Sequence, residues 1–257
     1  MKRLICLVLS TVLLLSMAAC GGGAVTSASG DLSGKQPVGV QGEVPAVSLI
    51  NKEEITLENF EEVATVDVEE TIATLRSEYE SLKALVDTFE KYQESVAEVE
   101  GFYEETYKEV ELLCARMQEY SLCYAELLVK SEGSYGDKYD EFEDLYDVVY
   151  DDLAGEIYDE IYDGILDEIY SAFYDGVIDE AYDNVPYDKW SDARSDEYDM
   201  WSDARSDVYD VWSDTRSDIY DFYSDMRSKL WDKEPEPIEK EINDYRKDVE
   251  KLIGKIV

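Results

Sequence analysis

From Trp190 onward the chain repeats with a strict period of eleven residues: Trp190-SDARSDEYDM, Trp201-SDARSDVYDV, Trp212-SDTRSDIYDF and a decaying copy, Tyr223-SDMRSKLWDK. Eleven residues in three turns is about 3.67 per turn, a period specific to a helix and one that keeps it nearly straight or gives it a right-handed sense. On that wheel Trp201, Ala204, Val208 and Val211 share one face, as do Trp212, Thr215, Ile219 and Phe222. The far side carries an aspartate row: Asp192, Asp196, Asp199, Asp203, Asp207, Asp210, Asp214, Asp218, Asp221 and Asp225. Arg194, Arg205, Arg216 and Arg227 each follow an aromatic residue by four positions. That spacing lays the guanidinium over the ring one turn back.

A second repeat precedes this one. Between Asp137 and Val185 the unit is four residues long, as in Ile157-Tyr-Asp-Glu, Ile161-Tyr-Asp-Gly and Ile165-Leu-Asp-Glu. Blocks of twelve, Ile161 to Ala172 and Phe173 to Asn184, align unit for unit. Period-two alternation is absent, so the segment reads as helix and not strand. In an α-helix a four-residue step advances about 400°, so the apolar stripe is expected to drift about 40° per unit and wind around its neighbours. Pro186 ends or kinks this element.

Further upstream, apolar residues alternate in steps of four and three from Val68 to Leu127, with a phase slip around Tyr92. The pattern predicts one helix over about 67–130, roughly 90 Å long, opened by Asp67 and Glu70 as cap and third-position acid. The slip has the spacing of a coiled-coil stammer. Gly133 and Gly136 bracket a turn, and Ile238, Ile242, Tyr245, Val249, Leu252 and Ile256 form a last amphipathic helix over 238–256. The expected fold is all-α: an elongated antiparallel helical bundle or coiled coil over 51–257, with helices at 67–130, 137–185, 187–232 and 238–256.

The N-terminus reads MKRLICLVLSTVLLLSMAACGGG. Lys2 and Arg3 precede an apolar run from Leu4 to Leu15 that is short for a membrane span, and small residues follow it. Ala18-Ala19-Cys20 resembles the lipobox of bacterial lipoproteins, with Met17 where leucine is usual. The resemblance covers only Met1 to Gly23. It implies a signal peptide over 1–19, a lipid anchor on Cys20, and attachment to the extracytoplasmic face of a bacterial membrane. Residues 20–50, rich in Gly, Ser, Ala, Val and Pro, read as a flexible tether.

Composition narrows the function classes. Without Lys2 and Arg3, 21 basic residues face 62 acidic ones, a formal charge of −41. Nucleic acid and anionic headgroups are therefore not expected electrostatic partners. No histidine occurs, which removes Ser-His-Asp and Cys-His catalysis and histidine-ligated zinc. Cys114 and Cys123 lie nine residues apart on one predicted helix, facing opposite sides, so they cannot bridge each other. Packed free thiols are expected, with an intermolecular disulfide as the alternative.

Two readings of the aspartate row compete. One is a linear, low-affinity cation array, with Asp203, Asp207 and Asp210 as metal ligands; the other, which the helical spacing favours over any looped calcium motif, is a solvated face. The tyrosines, 21 in the chain, likewise read as packing residues before a glycan or protein surface. No catalytic residue and no cofactor is assigned. The expected function is a surface stalk, spacer or scaffold that meets an envelope protein or a copy of itself. The alternative is a binder of cations or cationic peptides.

Overall fold

The computed structural model describes residues 47–257. The signal peptide, Cys20 and most of the expected tether lie outside the described residues. Those described are all-α: helices joined by short turns, with no strand among them.

The segment expected as one helix over 67–130 is three: α1 (Phe60–Leu85), α2 (Phe89–Glu94) and α3 (Val96–Lys130). The phase slip is a chain reversal, not a stammer. Thr88 caps α2 by accepting from the Lys91 backbone N–H, and Ser95 opens α3. Phe60 stacks edge-on with Tyr124 at 4.8 Å, and Arg116 bonds Asp67 at 2.8 Å, so α1 and α3 run in opposite directions. Reversal lets the apolar stripes of both halves bury against each other, which one continuous helix could not do. Asp67 therefore caps nothing. It sits inside α1 and takes Arg116 and the Tyr120 hydroxyl, while the chain enters α1 through a Thr56–Asn59 turn. The expected tether also ends early: Ile50 is buried, and Ser48 donates to Glu119 of α3.

Gly133, at φ +126°, turns the chain after α3, as its position predicts. Ser134 and Asp137 form a reciprocal capping box there. Buried Lys138 donates to the Val129 and Ser131 carbonyls, satisfying the end of α3.

The fourth helix, α4 (135–181), departs from ideal α geometry. It is π-helical over Tyr146–Leu153, Tyr158–Ile165 and Ser171–Ile178, and α-helical between them at Ala154–Ile157 and Leu166–Tyr170. A π turn closes i→i+5 hydrogen bonds and holds more residues than an α turn. Alternation brings the average to about four residues per turn, so the stripe does not drift. Leu145, Val149, Leu153, Ile157, Ile161, Ile165, Ile169 and Phe173, four apart throughout, are each no more than 1% exposed. The expected winding is replaced by local unwinding of the helix itself.

Beyond Pro186, α5 (Tyr187–Asp232) carries the eleven-residue repeat, and α6 (Pro235–Ile256) follows a turn through left-handed Lys233. Proline at the first helical position of α6 costs no hydrogen bond. Helix α5 runs parallel to α3 (Tyr103 to Glu197, Gln118 to Asp218) and antiparallel to α4 (Glu143 to Arg227, Asp179 to Arg194).

Candidate functional site: an arginine–aromatic ladder

The two sequence repeats meet face to face. Tyr146 lies against Tyr223 at 4.6 Å, Tyr158 against Trp212 at 4.8 Å, Tyr170 against Trp201 at 4.4 Å, and Tyr182 against Trp190 at 4.8 Å. Each step moves twelve residues along α4 and eleven along α5. Three turns hold twelve residues in the unwound helix and eleven in the ordinary one, so the rungs stay in register. The π turns are what make the two periods commensurate.

The arginines fill the spaces between rungs. As their spacing predicts, each lies over the ring four residues before it: Arg194 is 5.0 Å from Trp190, Arg205 5.3 Å from Trp201, Arg216 4.9 Å from Trp212 and Arg227 5.6 Å from Tyr223. Each guanidinium also lies over a tyrosine ring of α4. These are Tyr174 at 4.7 Å, Tyr162 at 4.0 Å, Tyr150 at 4.0 Å and Tyr139 at 4.4 Å. Tyr146–Tyr150, Tyr158–Tyr162 and Tyr170–Tyr174 stack within α4 at 4.5, 4.8 and 4.6 Å, closing the remaining gaps. A column of alternating rings and guanidinium groups thus runs from Tyr182 to Trp231 without a step above 5.6 Å.

Carboxylates of α4 hold the arginines in place. Arg205 pairs with Asp167 and with Asp163 (3.2 Å), Arg194 with Asp179 (3.5 Å), Arg216 with Asp151 (3.9 Å) and Arg227 with Glu143 (3.0 Å). Trp201 Nε1 also donates to Asp167. The equivalent pair one rung on, Trp190 Nε1 and Asp179 Oδ1, makes no hydrogen bond. Where Gly155 replaces the acid, Trp212 donates to the Ala154 carbonyl at 2.7 Å instead. Each cation–ring contact is worth about 0.5–1 kcal/mol when exposed and more when desolvated. The chemistry of the column is stacking and charge pairing between two helices.

No family model, curated protein or solved structure matches this chain.

The aspartate row of α5 is exposed from Asp192 to Asp225. Asp203 and Asp207 line a groove of about 470 Å³ opposite Glu100, Glu104 and Lys108 of α3; Asp210 is not among its lining residues. Among the described residues, no group of three or more acids or cysteines is placed to hold a metal ion. Cys114 and Cys123 are buried and unpaired, and burial pushes their thiols up to about 12 and about 11.

Two buried carboxylates escape sequence reasoning. Glu197, fully buried, accepts from the Tyr92 hydroxyl at 2.9 Å and the Tyr103 hydroxyl at 2.8 Å. Its signal was available: Val208, Ile219 and Leu230 hold the same place in the other copies of the repeat. Glu119 accepts from Ser48 Oγ, the Leu49 backbone N–H and Lys52 Nζ, all within 2.8 Å, and so clasps the incoming chain. No local pattern marks it.

Proposed function

We propose that this chain is a lipid-anchored module of the bacterial surface. It is tethered through Cys20, and its helical unit serves as a spacer or scaffold for an envelope protein or a second copy. In this reading the unit is an elongated helical bundle, with α5 antiparallel to α4 and parallel to α3, and the partner surface lies along its side. No catalytic role is assigned.

The observation that supports it most is the column between α4 and α5. Sliding one helix along the other by a single turn would separate every ring pair and every guanidinium from its two rings. A pair of helices so indexed resists shear, which is the demand on a spacer. An enzyme, by contrast, needs convergent groups left open to a substrate, whereas here each guanidinium is engaged by two rings and a carboxylate.

The experiment is metabolic labelling with a fatty-acid probe, followed by crosslinking on intact cells. Wild type should be labelled, membrane-bound and crosslinked to a discrete partner or to itself. Cys20→Ala should be unlabelled and released. Unlabelled wild type in the medium overturns the anchor, and anchored protein that yields no discrete crosslink overturns the scaffold.

A further inference from the structure

The outer edge of the ladder on α5 stays open to solvent. Tyr187, Tyr198 and Tyr209 touch Trp190, Trp201 and Trp212 at 5.7 Å, Tyr220 lies 6.1 Å from Tyr150 and Trp231 5.5 Å from Tyr139, yet much of each ring remains exposed. Tyr187, Tyr198, Tyr209, Tyr220 and Trp231 recur at the eleven-residue period and are 43% to 69% exposed. Because eleven residues make three turns, the rings share one angular position and stand about 16 Å apart along one line. Each is followed directly by an aspartate, and all those aspartates are exposed.

This row has the same chemistry as the column beside it, without the cation. Four arginines in the fold each combine aromatic rings with a carboxylate. Among the described residues, no arginine or lysine stacks on any ring of the exposed row. None of the aspartates that follow those rings enters an ion pair either. With a formal charge of −39, the chain draws cations toward itself before contact.

We infer that the exposed aromatic row of α5 is a docking face for an extended, arginine- or lysine-rich segment of a partner protein. This rests on the reading of the chain as an interaction module and specifies what it binds. The geometry fixes the partner's spacing. An extended chain rises about 3.3 Å per residue, so about five residues span the distance between neighbouring rings. A basic residue at every fifth position would then place each cation over a ring and beside its aspartate. A helical partner would need more than forty residues, at about 1.5 Å each, to follow the whole row; an extended one needs about twenty.

The test uses the full lipidated chain in neutral detergent at physiological salt. Its probes are two synthetic glycine–serine peptides of equal composition, one with arginine at every fifth position and one with the arginines clustered. The spaced peptide should bind roughly tenfold more tightly. Tyr198→Ser, Tyr209→Ser and Tyr220→Ser together should erase that preference, with helicity unchanged by circular dichroism; three stacking contacts correspond to roughly a ten- to hundredfold loss. Asp199→Asn, Asp210→Asn and Asp221→Asn provide a second variant if the tyrosine variant fails to fold, and should also lose the preference. Equal binding of both peptides to wild type would mean polyelectrolyte attraction alone and would overturn the inference. So would tyrosine-dependent binding of an oligosaccharide with neither peptide retained. If the peptide preference is absent while surface crosslinks persist, the docking face fails and the scaffold stands; lost crosslinks with the preference intact mean the reverse.

Discussion

At the scale of single residues, Glu197 makes the sharpest demand. Burial pushes its carboxyl up to about 7, while hydrogen bonds from Tyr103 and Tyr92 pull in the other direction. The other ionisable groups facing this cluster are Asp196, near Tyr92, and Tyr170, near Tyr103. The folded state binds this proton more tightly than the unfolded chain, whose value is near 4.5. Its contribution to stability is thus fully present below about pH 4.5 and is lost as pH rises through about 7, a change of about 3 kcal/mol. Glu197→Gln cannot ionise, so its stability should fall less over that window, where partial burial also raises the carboxyls of Glu78, Glu109, Glu156 and Asp218, and its advantage over wild type should grow from pH 5 to pH 8. Parallel denaturation profiles for the two proteins would contradict this. Glu197→Val restores the residue of the neighbouring repeat yet leaves two phenolic hydroxyls without their acceptor, at a cost of about 1–3 kcal/mol each. The glycines of α4 offer a second comparison. A Cβ at Gly155 meets nothing within 4 Å, whereas one at Gly164 would lie 3.0 Å from the Asp159 carbonyl oxygen, inside a π turn. Gly155→Ala should gain up to about 1 kcal/mol in thermal unfolding, and Gly164→Ala should lose stability.

At the scale of elements, the pairing of unequal periods predicts that the repeats can grow only together. A copy of Phe173–Asn184 inserted after Asn184, with a copy of Trp190–Met200 inserted before Trp190, should add one rung. Helical ellipticity should rise by the added residues, and the unfolding midpoint should hold or increase. Either insertion alone leaves the connection at Pro186 too short to reach, breaking the Tyr182–Trp190 rung and its neighbouring arginine contact. That should cost about 1–3 kcal/mol, read as a midpoint several degrees lower. Much of this element scale was legible in the sequence. The period of eleven gave the bounds of α5 and the place of each arginine over its ring, and the Ile238 to Ile256 spacing gave α6 within a few residues. What was not legible has two causes. The break at Val86–Thr88 carries neither glycine nor proline, and the phase slip beside it at Tyr92 suits a stammer as well as a reversal, so only the long-range fit of α1 on α3 decides between them. The four-residue repeat was read at 3.6 residues per turn; at that pitch its stripe must drift. The π turns that straighten it are favoured by burial of every fourth residue along the helix, a gain that periodicity alone does not register. The exposed aromatic row was present in the sequence too, and its rings both pack on the ladder and face solvent, which a reading of tyrosines as packing residues covers only in part.

At the scale of the whole molecule, charge dominates. The chain carries 62 acidic against 23 basic residues, and the aspartates of α5 stand three and four apart on an exposed face. Like charges at that spacing repel by a few tenths of a kcal/mol per pair, and screening at physiological ionic strength acts over about 8 Å. Sodium chloride should therefore raise the unfolding midpoint, most steeply below about 0.2 M. Calcium separates the two readings of the row. If Asp203, Asp207 and Asp210 only solvate the helix, calcium at matched ionic strength adds little to the shift given by sodium. If they bind, the midpoint rises further in proportion to the logarithm of calcium concentration above its dissociation constant. The first outcome is the expected one, because carboxylates at helical spacing along an exposed face do not wrap a cation as a looped calcium site does. Replacing all three by asparagine should then leave the calcium response unchanged and raise the midpoint slightly, because three mutually repelling charges are gone. A saturable calcium isotherm that disappears in the triple variant would reverse this and make the aspartate row a cation site.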